Sequence, residues 1–203
     1  DNQSNVIIAL NNAQKTERPL ESRISDFKWA PKIEGKRGSP NDKNEELEFA
    51  ELSARNLVRQ NPSADNLHEL GRVFLAQKKF DDAIAQFESG IKKNAQSSKL
   101  RNDLGVALME KGRKNKLDNE NIDKKNEETK PYLELFAKAN EEFAKAIELD
   151  KTSLESYFNR ALAIELIGVL PNQAKEAWEN YLKLDATSKW ADEARERLKK
   201  LEF

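Results

Sequence analysis

The fold is decided by residues 67–91, which read LHELGRVFLAQKKFDDAIAQFESGI. Leu67, Leu70 and Phe74, and then Ala83, Phe87 and Ile91, fall three or four residues apart, the spacing that puts apolar side chains on one helical face. The period breaks at Gln77–Lys79 and restarts at Phe80, so two short helices are expected. Gly71 lies inside the first, where glycine is worse than alanine by about 1 kcal/mol.

This pattern returns along the chain. Leu70, Gly71 and Phe74 recur as Leu104, Gly105 and Leu108, a shift of 34 residues. Phe80, Ala83, Phe87 and Gly90 recur as Phe136, Ala139, Phe143 and Ala146 at a shift of 56, which is 34 plus a 22-residue insertion. Gly105 recurs as Ala161, and Ala139, Phe143 and Ala146 recur as Ala174, Trp178 and Tyr181. A glycine repeated at the same helical position implies that a neighbouring helix comes too close for a side chain, with Ala161 in that role in the third unit. Gly112 and Gly168 are placed to cap the first helices of their pairs, and Pro171 suits a first turn.

Helix pairs of 34 residues carrying Leu-Gly, an aromatic, then Ala, an aromatic and Ala resemble the tetratricopeptide repeat family. The matching residues are Leu70-Gly71, Phe74, Phe80, Ala83 and Phe87; Leu104-Gly105, Leu108, Phe136, Ala139, Phe143 and Ala146; and Tyr157, Ala161, Ala174 and Trp178. The departures are Arg160 in place of a Leu, Gly90 in place of an Ala, and a closing proline only at Pro62. The resemblance implies an all-α, right-handed solenoid of helix-turn-helix units over 44–203, behind an irregular N-terminal arm, 1–43. Within the solenoid the expected parts are a half-unit at 45–62, repeats at 64–97, 98–151 and 154–186, and a capping helix at 188–202. A polar-faced cap is needed because an uncovered end exposes the stacking surface.

Two segments stand outside the period. The insertion, near 113–134, is almost wholly polar, with only Leu117 and Ile122 as large apolar residues between Lys111 and Lys130. Its plain reading is a disordered or frayed excursion; the alternative is a lengthened helical hairpin in which Pro131 starts the second helix early. The arm holds Pro19, Pro31, Pro40, Gly35 and Gly38, which argue against regular structure, while Val6 to Leu10 could end a short helix. Ile24, Phe27 and Trp29 alternate with polar neighbours, as in an extended segment, and should pack on the helices. The plain reading of the arm is a structural strap; the alternative is an intramolecular ligand lying in the groove.

Composition removes whole classes of function. With 35 Lys+Arg against 36 Asp+Glu and a net charge of −1, no basic surface for nucleic acid or anionic membrane is expected. No run of 18 apolar residues exists to insert in a membrane. Zero Cys and the single His68 remove thiolate zinc sites, iron–sulfur clusters and cysteine nucleophiles, and leave little for imidazole chemistry. Neither a phosphate-cradling glycine loop nor a nucleophile elbow occurs, so no enzyme and no cofactor are expected. His68 reads as a solvated or hydrogen-bonded surface group. The chain begins at Asp1 without a signal-peptide pattern, which reads as a processed chain or a piece of a longer one, soluble as given.

Function is therefore sought in the groove. In solenoids of this type the first helix of each unit lines the concave side. Equivalence by 34 and 56 selects His68 and Arg72 in the first unit, Lys99, Asn102, Asp103 and Val106 in the second, and Glu155, Phe158, Asn159 and Leu162 in the third. Asn102 and Asn159 can each donate and accept, which suits a peptide backbone, whereas Phe158, Val106 and Leu162 could hold an apolar side chain. The plainer reading is a solvated face of mixed sign. Some family members clamp a ligand's terminal carboxylates with Lys, Asn, Asn, Lys and Arg. Here those positions are His68, Arg72, Asp103, Glu155 and Asn159, and two acids would repel a carboxylate.

The expected function is a non-enzymatic scaffold binding a protein or peptide, as a monomer. Two alternatives stand beside it. Glu21–Phe27, Asn102–Gly105, Phe158–Leu162 and Trp190–Arg195 resemble the repeat region preceding a caspase-like CHAT peptidase domain in large bacterial proteins. That would make the chain a regulatory segment whose His–Cys chemistry lies elsewhere. The other alternative is a structural protein that self-associates through its end helices.

Overall fold

In the computed structural model the described residues are Val6, Leu10, Arg18, 20–27, 29–31, 40–121, 130–168 and 171–201. Among them are eight helices and no strand. They are α1 (Pro40–Gln60), α2 (Ala64–Ala76), α3 (Phe80–Lys93), α4 (Ser98–Asn121), α5 (Pro131–Leu149), α6 (Leu154–Ile167), α7 (Pro171–Leu184) and α8 (Lys189–Lys200). None is long and apolar enough to cross a membrane.

Local signals set most boundaries. Ser63, Ser153 and Ser188 cap α2, α6 and α8 by accepting from backbone N–H groups of the first turn. Asp81 and Asp82 open α3 and Lys92 and Lys93 close it, charges that match the helix dipole. Pro131 opens α5, and Gly168 ends α6 with φ of 71°, the left-handed conformation glycine adopts freely.

Consecutive helices pack on one another from α1 to α8, and α2 also touches α4 as α4 touches α6. First helices therefore form an inner layer, and α3, α5 and α7 an outer one. The close approaches lie between the layers. A Cβ on Gly71 would sit 2.7 Å from Cδ1 of Phe87, and one on Gly105 would sit 2.5 Å from Cε1 of Phe143. The two rings occupy equivalent places in successive repeats, which is why the glycine recurs.

Gly112 differs from expectation. It is no cap: α4 continues through it to Asn121, and a Cβ there would meet the Phe136 ring at 2.7 Å. The insertion is thus helical as far as Asn121 on one side and from Pro131 on the other, a lengthened hairpin in which glycine again marks a close approach. The frayed excursion expected after Gly112 is not seen over these residues, and 122–129 lie outside the described ones.

Val6 and Leu10, both helical, are fully buried and join the same apolar cluster as Leu20 and Ile24 of the arm. That cluster runs on through Phe74, Phe87, Phe143 and Phe158 to Trp178 and Trp190. Phe158 is its hub at the C-terminal end, edge-on to Trp178, Tyr181 and Trp190 at centroid distances of 5.0, 5.3 and 5.0 Å.

Candidate functional site

The inner face is not open to solvent: Arg18, 20–27 and 29–31 lie across it. The Arg18 N–H donates to the Pro31 carbonyl at 3.2 Å, closing the segment into a loop, and the Phe27 N–H donates to the Ile24 carbonyl at 3.3 Å across a turn at Ser25–Asp26. Within an arm expected to be irregular, this turn interrupts the extended stretch read from the alternation of Ile24, Phe27 and Trp29. A run of side chains from α2 to α8 holds the loop.

At its centre, α4 and α6 present Asn102 and Asn159 side by side, both fully buried, with the Asn159 amide donating to Oδ1 of Asn102 at 3.0 Å. Oδ1 of Asn159 accepts from the Arg23 backbone N–H at 2.8 Å, while its Nδ2 donates to the Arg23 carbonyl at 2.7 Å. Asn102 donates to the same carbonyl at 3.1 Å. One peptide residue is thus bound through both its polar backbone groups, as a neighbouring strand would bind it.

The Arg23 side chain enters a pocket on the α7–α8 side. Its guanidinium lies 4.9 Å from the Trp190 ring centroid and 5.9 Å from those of Phe158 and Tyr181. It donates to the Tyr181 hydroxyl at 2.8 Å and forms ion pairs with Glu155 at 3.6 Å and Asp185 at 3.9 Å. Rings against the face of the cation and carboxylates at its edge are the two contacts a guanidinium favours.

Asp103 is the second anchor. Its Oδ1 accepts from the Ser25 N–H and hydroxyl, each at 2.9 Å, while Oδ2 meets Nε2 of His68 at 2.8 Å and Nε of Arg72 at 3.0 Å. Burial alone would raise the Asp103 carboxyl; the hydrogen bond from His68 and the charge of Arg72 outweigh it and hold the group far below the usual carboxylate range. Arg72 also reaches Asp26 at 3.0 Å, and Lys99 binds the same carboxylate at 2.7 and 2.9 Å. Burial of Asp26 is likewise outweighed, by hydrogen bonds from Lys99 and Arg72, so its carboxyl is lowered.

Seven of the ten groove residues expected from the repeat thus bond to or ion-pair with the loop or the groups that bind it: His68, Arg72, Lys99, Asn102, Asp103, Glu155 and Asn159. Phe158 lies under Arg23, and Val106 and Leu162 are fully buried in the apolar cluster that includes Leu20 and Ile24. Two expectations are corrected. His68 is hydrogen-bonded but buried, not a surface group, because it lies between the Phe87 ring, edge-on at 5.7 Å, and the Asp103 carboxylate. The groove also accepts a carboxylate, that of Asp26, because Arg72 and Lys99 reach past the acids.

Periodicity overlooked several members. Glu110 and Arg113 follow Asp103 and Val106 on one face of α4, at spacings of three and four that were legible. Glu110 accepts from the Ser22 hydroxyl, and Arg113 pairs with Glu21 at 2.5 Å. On α8, Glu193 binds Arg18 at 2.5 Å and the Trp29 indole at 2.7 Å, while Arg197 binds Glu21 at 2.9 Å. No spacing rule connects α8 with the arm. Glu110 is buried, and burial raises its carboxyl in spite of Arg113 beside it.

Paired helices stacked so that first helices line a common groove define an α-solenoid. Its particular form is the tetratricopeptide-repeat fold. Similar solved structures include the TPR domain of Arabidopsis OM64, 21% identical with a TM-score of 0.53, covering 68% of this chain and 94% of that one. The thermophilic TPR protein TTC0263 of Thermus thermophilus is 19% identical with a TM-score of 0.59, covering 78% and 74%. The first TPR of Spaghetti (RPAP3), bound to the HSP90 peptide SRMEEVD, is 21% identical with a TM-score of 0.52, covering 68% and 90%. At such identities the likeness is one of fold. No protein-family model matches the chain, and no relative is found among characterised proteins.

Proposed function

We propose that this chain is a non-enzymatic protein-interaction scaffold whose inner groove binds a polypeptide segment. The observation that carries the reading is the double engagement of the Arg23 backbone by Asn102 and Asn159. A side-chain amide that both donates and accepts recognises any peptide unit, so the flanking pockets are left to choose the sequence. The peptide seen on the similarly folded RPAP3 domain supports the same use of the fold. The test is affinity capture with the full chain and with Asn102→Ala/Asn159→Ala. A partner lost by the variant at unchanged helical circular dichroism is the expected result; equal capture by both removes the groove from the reading.

A second reading has one observation in its favour. The four stretches resembling the repeat region of CHAT-type peptidases, Glu21–Phe27, Asn102–Gly105, Phe158–Leu162 and Trp190–Arg195, supply contacts at this one site. Under that reading the chain is the regulatory segment of a larger peptidase. Sequencing the reading frame past Phe203 tests it: a domain with a His–Cys pair is expected, and a stop codon removes it.

A further inference from the structure

Four consecutive residues of the loop meet four sub-sites of different chemistry. Arg23 enters the ring-walled pocket edged by Glu155 and Asp185. Ile24 is buried in the apolar cluster. Ser25 gives both its N–H and its hydroxyl to Asp103, a carboxylate that only accepts. Asp26 lies between two cations, Arg72 and Lys99. Each sub-site excludes the residue types its neighbours take: a carboxylate beside Asp185 or a second guanidinium beside Arg72 would set like charges together.

The resident loop fits this groove imperfectly. Among the described residues, Nε of Arg23 and both Nε and Nη1 of Arg18 are buried without a hydrogen-bond partner. Among the same residues, the hydrogen bonds between loop and helices run through side chains, and no backbone ladder ties the two together. An occupant freed of these faults would bind better in the same place.

We propose, on the basis of the scaffold reading, that the groove is a receptor for an Arg–apolar–Ser–acid segment of a partner protein. Arg23–Asp26 is then its built-in competitor, displaced when the partner's segment enters.

The experiment is fluorescence anisotropy of a labelled peptide spanning residues 18–31 against the full chain and its Arg23→Ala variant. Weakening the tethered copy should raise affinity for the free peptide at least tenfold. Replacing the arginine in the peptide, or adding Asn102→Ala/Asn159→Ala to the chain, should reverse that gain. Equal affinity of both chains, or of both peptides, overturns the proposal. As an arm-weakened groove could close up, a second form of the chain carries a protease site within 32–39 and is nicked there. Exchange of its arm for labelled peptide, one for one, is expected; an arm that never exchanges overturns the displacement. If the peptide fails while a captured partner still depends on Asn102 and Asn159, the sequence preference falls and the scaffold reading stands. If capture fails as well, both fall.

Discussion

Gly71 and Gly105 show how a single absent side chain organises a repeat. Adding a methyl group at Gly71 improves helix propensity by about 1 kcal/mol, but drives it into the fully buried Phe87 ring, an overpacking worth about 1–3 kcal/mol. Gly71→Ala should therefore lower stability by about 1 kcal/mol in urea denaturation, and Phe87→Leu in the same chain should recover part of it. The glycine was legible in the sequence because it recurs 34 residues on; the ring it faces was not. Asp103 is a harder case. Replacing it with Ala leaves Arg72 and His68 buried without their common acceptor, at about 3 kcal/mol, so Asp103→Ala should unfold at markedly lower urea than Asp103→Asn. Glu110 predicts a pH effect of opposite sign to a salt-bridged acid. Its carboxyl is raised in the folded chain, so ionisation opposes folding as pH climbs through the interval between its unfolded and folded values. Glu110→Gln should melt higher than the parent at neutral pH, and the gap should close as pH falls to the ordinary carboxylate range, about 4.3.

At the scale of elements, α8 and the extension of α4 have a meaning that amphipathic patterning alone does not give. A capping helix is expected to cover apolar surface, and Trp190, Ala191 and Ala194 do so. Along the edge of that same face Glu193 and Arg197 hold Arg18, Trp29 and Glu21 of the arm. Ser188 fixes that helix, accepting from the N–H groups of Trp190 and Ala191 and donating to Asp185. Ser188→Ala should cost about 1 kcal/mol of cap stability and speed amide exchange in Lys189–Lys200 before other helices respond. The polar insertion likewise conceals helix, as far as Asn121 on one side and from Pro131 on the other. Gly112 sits in it because Phe136 of α5 crosses there, and Arg113, one residue on, reaches Glu21. Composition counted these residues as solvent-facing; only their neighbours on α5 and the arm make them a contact.

For the whole molecule, the arm turns an open solenoid into a closed one. It spans the inner face from Arg72 on α2 to Arg197 on α8, so loosening it should be felt at both ends. Arg23→Ala removes the ring contacts and the Tyr181 hydrogen bond, about 1–3 kcal/mol. It should lower the melting temperature by a few degrees and red-shift Trp29 emission as the indole leaves Glu193. An unchanged spectrum would mean that the loop stays seated without its arginine. By itself the sequence determined the all-α class, the pairing of helices in a 34-residue period and the recurring glycine at their close approach. Those follow from periodicity within one helix and from repetition between units, both local properties of the chain. That Asn102 and Asn159 face one another, that Asp103 gathers His68, Arg72 and Ser25, and that Trp190 closes over Arg23 were decided by the tertiary structure alone. Such contacts join residues 31 to 167 positions apart, and only the stacking of the repeats sets the distance between them.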